Sequence, residues 1–213
     1  FGLDPDRLPE ECLDPARVRA FLEVHIEQGG ELEKAGVPLG IVTAISGMRL
    51  HRLTLRGRSD HAASPMQGRR DPAAGFAEIA HRMEGLWKDG VLPEDFSCTV
   101  GEMACSPNVG IVVPDTVTFT IDIRHVDVSV LEEGWKRIEA MARSVAESRG
   151  LVLDLVRLSA SGGVPMAAEI GEAFRLAAGK RGVQPLFMKS GPAHDAASMG
   201  RRVPAGLLFV PSI

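Results

Sequence analysis

The stretch "VTFTIDIRH", residues 117–125, decides the fold class, because it predicts a β-strand with one buried face. Its apolar and polar side chains alternate with the two-residue period of a strand. The apolar positions are Val117, Phe119, Ile121 and Ile123. We expect these four side chains to face a core and the polar side chains to point away from it.

Segments on both sides of this strand predict an α+β domain. Strand-like alternation also marks residues 49–59, 96–105 and 151–158. An Asp-Pro helix start opens a helical pattern at 71–90, and a second helical pattern follows at 128–149. The resulting order β-α-β-β-α-β is that of the split βαβ, or ferredoxin-like, arrangement.

The segments outside this domain predict a second α/β layer. It comprises a short helix at 15–20, strands at 21–28 and 40–45 with a polar link at 31–40 between them, a small-residue hinge at 159–165, a helix at 167–181 and a final strand. The predicted domains are therefore a discontinuous one, residues 1–46 with 159–213, and an inserted one, residues 47–158.

Composition excludes several classes of protein. An apolar content of 45% and a charged content of 24% are typical of a folded globular chain. The net charge of −4, without a basic cluster, argues against a nucleic-acid partner, and no apolar run is long enough for a membrane span. The three cysteines Cys12, Cys98 and Cys105 lack metal-site spacing, which favours a reduced, cytoplasmic setting.

The strand in "FLEVHIEQGG" (21–30) carries the first candidate site. Leu22, Val24 and Ile26 are expected to form its core face, and the opposite face carries Glu23, His25 and Glu27. An imidazole flanked by carboxylates suits a metal ion such as zinc. A half-buried structural histidine is the alternative, and spacing alone favours it, since no HExxH pattern is present.

Two further candidates lie in the inserted domain. Ser59-Asp60-His61 stands where a strand gives way to a loop, where histidines are often functional, although a turn cap is an equal alternative. Arg124 either pairs with Asp122 or grips a substrate carboxylate with its guanidinium fork. Arg69 and Arg70 are expected to be solvated.

The last candidate is His194 in "KSGPAHDAASM" (189–199), which begins a helix. A catalytic triad with Ser190 and Asp195 is rejected, because adjacent His and Asp side chains cannot align as base and orienter. No GxSxG elbow is present either. The remaining histidines are expected to be structural: His51, His81 and His125.

Four segments together resemble the M20-type metal-dependent amidohydrolases, the family of N-carbamoyl-L-amino-acid hydrolases, allantoate amidohydrolases and β-ureidopropionases. They are "EVHIEQG" (23–29), "SDHAASPMQGRRDPA" (59–73), "TVGEM…PN…VVPDTVTFTIDIRH" (99–125) and "SGPAHDA…VPAGLLFVPS" (190–212). The resemblance implies an α/β fold in which a partial di-zinc peptidase-like catalytic domain is interrupted by a ferredoxin-like lid and dimerisation domain.

The resemblance also implies roles for individual residues. His25 is a metal ligand, one of a set for two divalent ions (zinc, or manganese or cobalt). Gln28, Asn108, Arg124 and His194 bind a small carboxylate-bearing substrate. His61 is catalytic, stabilising the oxyanion in the active site of the partner subunit of a homodimer. The implied reaction is hydrolysis of a linear amide or ureido C–N bond by a two-metal mechanism.

The sequence departs from the family pattern in three respects. Ile111 and Ala193 replace an asparagine and a glycine that contact substrate in the family. The other metal ligands are absent, so we expect an incomplete piece that is inactive alone. Two alternatives stay open: an M20-type aminopeptidase or N-acyl-amino-acid deacylase, and a non-catalytic dimerisation or binding fragment.

Overall fold

Eleven strands and five α-helices lie within residues 14–212, the part of the chain that the computed structural model describes. The strands are β1 (Phe21–Ile26), β2 (Gly40–Ile45), β3 (Gly47–Arg56), β4 (Asp60–His61), β5 (Ser97–Ser106), β6 (Val112–Val113), β7 (Thr116–His125), β8 (Val152–Ser161), β9 (Val164–Pro165), β10 (Leu186–Ser190) and β11 (Ala205–Val210). The α-helices are α1 (Glu31–Ala35), α2 (Pro72–Lys88), α3 (Val128–Ser148), α4 (Ala168–Gly179) and α5 (Asp195–Met199). The chain divides into two units: unit 1 runs up to Ile45 and again from Val164, and unit 2 is Ser46–Gly163.

Unit 2 contains an antiparallel sheet in the order β5-β7-β3-β8, against which α2 and α3 pack. This confirms the predicted β-α-β-β-α-β order and its ferredoxin-like arrangement. The inward side chains of β7 are almost fully buried, Phe119, Ile121 and Ile123 at 0% exposure. Burying each of these side chains stabilises the fold by about 1.5–3 kcal/mol.

Both helices of unit 2 start and pack as the sequence predicts. The Asp71 carboxylate accepts from the amides of Ala73 and Ala74, which caps α2. The α3 side chains that repeat at helical spacing are all buried: Leu131, Trp135, Ile138, Ala142 and Val145.

Unit 1 contains a mixed sheet in the order β1-β11-β2-β10, with β9 added to β2. β1 is parallel to β11, β2 is parallel to β10, and β11 and β2 are antiparallel. Leu32 of α1 and Ala196 of α5 belong to the core on one face. On the other face α4 packs closely, because Gly206 has no side chain where Ile170 approaches.

Several boundaries predicted for the discontinuous domain are wrong. The polar link at 31–40 contains α1, whose first two amides are capped by the Glu27 carboxylate. Residues 159–161 continue β8 instead of forming a hinge, and β10 is a strand that the sequence did not predict. The expected helix at 15–20 is a single 3-10 turn, Pro15–Arg17.

The orientation of β1 is opposite to the expectation. Leu22, Val24 and Ile26 are 59%, 66% and 45% exposed, so the aliphatic face is not in the core of the described chain. The face with Glu23 and His25 is the more buried one. β1 ends the order of its sheet, and an alternating pattern does not indicate which face of such a strand is covered.

No helix within residues 14–212 is long and apolar enough to cross a membrane. Cys98 and Cys105 are free thiols. Cys12 lies outside the described residues.

Candidate functional site

Two of the predicted site residues meet in unit 1, although they are far apart in sequence. The rings of His25, in β1, and His194, at the N-cap of α5, lie edge to face with their centroids 4.8 Å apart. The ring of His194 also packs against Phe209 of β11, with centroids 5.3 Å apart. Because α5 packs against both β1 and β11, the fold builds a two-histidine cluster from separate sequence motifs.

The backbone fixes the tautomer of His25. Its Nδ1 lies 2.7 Å from the carbonyl oxygen of Ile26. A carbonyl oxygen only accepts, so Nδ1 carries the proton and Nε2 keeps its lone pair. Such an arrangement is typical of metal-binding histidines, in which one ring nitrogen is held and the other is the ligand atom.

Glu23 belongs to this cluster, although sequence reasoning did not select it as a site residue. Its Oε2 accepts from the Ala196 amide at 2.7 Å, and its Oε1 lies 3.6 Å from Nδ1 of His194. Burial lowers the pKa of His194, with His25 adding to this effect and Glu23 opposing it. The signal for Glu23 was its position two residues before His25, on the same strand face.

Ser190 and His194 do not form a nucleophilic pair. The hydroxyl of Ser190 donates to the carbonyl oxygen of Pro192 at 3.1 Å, and it lies 2.9 Å from Nε2 of His194. Since its proton is already used, Ser190 accepts from His194 and holds the ring. Ser190 is 1% exposed, which leaves no access for a substrate. The rejection of a triad is therefore supported by the geometry.

The turn after β1 places Gln28 in a strained conformation. Gln28 has φ = 53° and is the one non-glycine residue with positive φ in the described part of the chain. Such backbone conformations are rare outside glycine and cluster at functional sites. The preceding Glu27 is buried and caps α1 with Oε2, while its Oε1 has no partner among the described residues.

In unit 2, His61 lies in a short ladder away from the main sheet. β4 pairs with β6, so that His61 is opposite Val112, and the Ala62 amide donates to the carbonyl of Ile111. His61 is exposed, and its Nδ1 accepts from the amide of Ala63 at 3.1 Å.

Arg69 is not solvated as expected. Its Nη2 donates to the carbonyl oxygens of Ala62 and Ser64 at 2.8 and 2.5 Å. The prediction failed because an arginine that bonds to nearby backbone carbonyls leaves no periodic trace in sequence. Arg70 is exposed.

Arg124 forms the Asp122 pair that the sequence allowed. Nε donates to Oδ1 and Nη2 donates to Oδ2, both at 2.9 Å. The pair is about two-thirds buried or more, with side-chain exposures of 33% and 22%. Hydrogen bonding to Asp122 raises the pKa of Arg124, so its charge is secure at any ordinary pH.

Asn108 lies on an exposed loop and borders a cavity of about 270 Å³ beside Phe76 and Val117. Ile111 is 62% exposed, and Ala193 is also exposed. Neither residue makes a contact that accounts for its departure from the family pattern.

His61 and Arg124 lie near opposite ends of the unit 2 sheet. In β7, Arg124 is eight residues from Thr116, which corresponds to about 26 Å along a strand. Asp115, next to Thr116, accepts from the hydroxyl of Ser59, two residues from His61. The structure therefore does not bring these two predicted site residues together within one chain.

Within residues 14–212, no group of three or more His, Cys, Asp or Glu side chains comes close enough to hold a metal ion. Among the described residues, His25 fits a ligand role: its Nε2 lone pair is available, and Oε1 of Glu27, two residues further along the chain, has no partner in that part of the chain. These two residues could supply part of the ligand set of a metal centre, but they do not form a complete set.

Comparison with known proteins identifies relatives of the chain. It is 37% identical over 212 residues to N-carbamoyl-L-amino acid amidohydrolase from Geobacillus stearothermophilus, covering 99% of this chain and 51% of the relative. It is 38% identical over 196 residues to allantoate amidohydrolase from Bacillus subtilis, covering 92% of this chain and 47% of the relative. No family model matches the chain.

Solved structures agree with these relatives. An amidase of the hydantoinase/carbamoylase family from Burkholderia multivorans superimposes with a TM-score of 0.86 at 31% identity, covering 91% of this chain and 47% of that one. The mixed α/β fold is thus that of solved amidohydrolase and carbamoylase structures. The chain spans about half the length of the curated relatives it matches.

Proposed function

Because the homologues of this chain are N-carbamoyl-L-amino-acid and allantoate amidohydrolases of the hydantoinase/carbamoylase family, we propose that it supplies part of an enzyme that hydrolyses a linear amide or ureido C–N bond. The proposed substrate is a small carboxylate-bearing molecule such as an N-carbamoyl amino acid or allantoate. Unit 1 would be part of a di-zinc peptidase-like catalytic domain and unit 2 the lid. The free thiols Cys98 and Cys105 favour a reduced, cytoplasmic setting.

The approach of His25 and His194 is the observation that carries the proposal. The two ring centroids are 4.8 Å apart, although the histidines belong to motifs near opposite ends of the sequence. The carbonyl oxygen of Ile26 holds the ring of His25, and the hydroxyl of Ser190 holds the ring of His194. A purely structural cluster would not require His25 to keep an Nε2 lone pair that no described residue uses. We assign His25 to the metal and His194 to the substrate.

The metal centre of the proposed enzyme needs ligands beyond the described residues. His25 would hold an ion through Nε2, while Ile26 keeps the ring oriented. When bound, two divalent ions polarise a carbonyl and lower the pKa of a water nucleophile. The strained Gln28, which lies in the turn that follows β1, would contact the substrate beside this centre.

Arg124 would bind the substrate carboxylate, as an arginine with a fixed charge and orientation suits that group. Asn108 is assigned to the same substrate. His61 would donate a hydrogen bond to the oxyanion that forms during attack on the carbonyl.

The separation of His61 and Arg124 favours a homodimer. A small substrate does not span about 26 Å of strand, so one chain cannot offer both residues to the same molecule in this arrangement of unit 2. If the partner subunit supplies His61, both residues can act together. We therefore propose dimerisation through unit 2 with His61 acting in trans.

Activity measurements on the full-length protein test the reaction. With added zinc or manganese, the protein should release ammonia from N-carbamoyl amino acids or allantoate. His25→Ala should abolish this activity and lower the bound metal, whereas His81→Ala, at an exposed position of α2, should change neither. Absence of release from all these substrates would refute the ureido assignment, and cleavage of peptides or N-acyl amino acids would favour the aminopeptidase or deacylase alternative.

Mixing two inactive variants tests the trans arrangement. A His61→Ala dimer and a His25→Ala dimer should regain part of the activity when their subunits exchange, because one hybrid site is intact. An equal mixture that stays inactive after exchange has been demonstrated would contradict the role of the partner subunit.

A further inference from the structure

The turn that carries His61 is closed by a set of hydrogen bonds that the proposed reaction does not explain. The Asp60 carboxylate accepts from the His61 amide at 2.9 Å and from the Ser64 hydroxyl at 2.5 Å, both at Oδ1. The Ser64 amide donates back to the carbonyl of His61 at 2.9 Å. An exposed loop is ordinarily mobile, whereas this one is fixed at both ends of a four-residue turn.

Arg69 fastens the same turn from the other side. Its Nη2 donates to the carbonyl oxygens of Ala62 and Ser64. Ala62 directly follows His61, and Ser64 ends the turn. The Nε of Arg69 is buried without a partner among the described residues. Burying a donor unpaired is unfavourable, so the contacts of Nη2 with the turn offset that cost and determine the position of the guanidinium.

The fixed turn determines which nitrogen of His61 carries the proton. The Ala63 amide donates to Nδ1 at 3.1 Å, and only a nitrogen with a lone pair accepts. The neutral ring therefore carries its proton on Nε2. Nε2–H is the group that a side chain needs in order to donate to an oxyanion.

We infer that Arg69 is a positioning residue for His61: it holds the 61–64 turn so that the Ala63 amide fixes the imidazole as the Nε2–H donor. This inference deepens the proposed function and rests on it for the role of His61. The preparation of the tautomer itself is a property of the turn and does not depend on the substrate.

Nitrogen NMR of the histidine-labelled chain tests the tautomer without any activity. At a pH where His61 is neutral, its signals, assigned with His61→Gln, should be those of the Nε2–H form. Arg69→Gln should shift them toward a mixture of tautomers, and Arg70→Gln, at the exposed neighbouring arginine, should not. An Nδ1–H ring in the unmodified chain, or an unchanged tautomer in Arg69→Gln, would overturn the inference.

Kinetics of the full-length enzyme test the consequence. Arg69→Gln should lower kcat about 10- to 100-fold, the size of effect expected when a catalytic group is misplaced, with KM nearly unchanged. Arg69→Lys should recover part of kcat, because an ammonium can still donate to a carbonyl. A wild-type kcat in Arg69→Gln, or a change confined to KM, would refute the positioning role.

The two experiments separate two kinds of failure. If the full-length protein has no amidohydrolase activity but the tautomer responds to Arg69→Gln, the proposed function fails and the turn mechanism stands. If activity is present and Arg69→Gln affects neither readout, the turn mechanism fails alone. Thermal unfolding of each variant controls for loss of the fold, and Arg69→Lys retains the charge if Arg69→Gln is unstable.

Discussion

The guanidinium of Arg124 and the carboxylate of Asp122 form a bidentate pair, with two hydrogen bonds of 2.9 Å between side chains two residues apart on one strand face. One edge of the guanidinium, Nε with Nη2, is therefore already bound to protein. A substrate carboxylate would meet an arginine whose plane is set before binding. Preorganisation of this kind lowers the entropy lost on binding.

Asp122→Asn should consequently weaken substrate binding by the full-length enzyme more than it slows the reaction. Hydrogen bonds to charged groups contribute about 1.5–3 kcal/mol. Since the asparagine weakens the two bonds that orient Arg124, we expect KM to rise about 10-fold. Steady-state kinetics would measure this. Asp154→Asn, which breaks the exposed pair with Arg56, is the matched control and should leave KM unchanged. Equal effects of the two substitutions would contradict a special role for Asp122.

Cys98 and Cys105 should differ strongly in thiol reactivity. Burial, with a contribution from the charge of Asp122, raises the pKa of the Cys98 thiol to about 12, while Cys105 is exposed. The thiolate is the reactive form. At pH 8 Cys98 should therefore react with a disulfide reagent at least about 100-fold more slowly than an ordinary thiol does. A Cys12→Ser background isolates the two residues. Comparable rates for Cys98 and Cys105 would show that Cys98 is not protected.

The stability of unit 2 should depend on pH through His51. This ring stacks on Trp135 with centroids 3.4 Å apart and is 3% exposed. Burial, reinforced by Arg157 and Arg49 and opposed by Glu139 and Glu132, lowers the pKa of His51 from 6.5 to about 4. The folded state therefore binds fewer protons than the unfolded state between these values, so stability is full above pH 6.5 and falls as the pH drops toward 4.

Urea unfolding followed by tryptophan fluorescence measures this dependence, since Trp87 and Trp135 both belong to unit 2. The free energy of unfolding should decrease by roughly 3 kcal/mol between pH 7 and pH 4 on account of His51. His51→Gln should flatten that part of the profile, whereas the exposed His81→Gln should not. An unaltered slope in His51→Gln would exclude His51 as the source.

Two helix glycines should respond to alanine in opposite directions. A Cβ on Gly134 of α3 would lie 2.5 Å from the ring of Phe96, whereas a Cβ on Gly85 of α2 would meet nothing within 4 Å. Gly134→Ala should destabilise by about 1–3 kcal/mol through overpacking. Gly85→Ala should stabilise by up to about 1 kcal/mol, because alanine favours the helix. Thermal or urea unfolding measures both, and a stable Gly134→Ala would mean that Phe96 moves aside.

Periodic patterns predicted the core of unit 2 well. The alternation in β7 and the helical spacing in α3 each identified buried side chains such as Phe119 and Ile138. In a small domain with one core, a wide apolar face is removed from water only by packing against that core. Short elements were harder. α1 and β10 were missed, since each has only five residues and α1 depends on the Glu27 cap.

The candidate site residues could be identified from the sequence, but their positions relative to one another could not be predicted from it. Resemblance to a family selected His25, His61, Arg124 and His194, and the type of each side chain supported the choice. It did not reveal that Glu23 joins His194 or that Arg69 holds the turn of His61. Those contacts join positions whose spacing follows no repeating period, and only folded backbone geometry brings them together.

The sequence by itself determined which residues alternate, where helices begin and which side chains are able to bind a metal or a carboxylate, because these are local properties of chemistry and spacing. Only the tertiary structure decided that the polar face of β1 turns inward, that His25 meets His194, and that His61 and Arg124 stand near opposite ends of one sheet. The reason is physical: a strand pattern distinguishes two faces, but sheet order and packing decide which face is buried and which residues become neighbours.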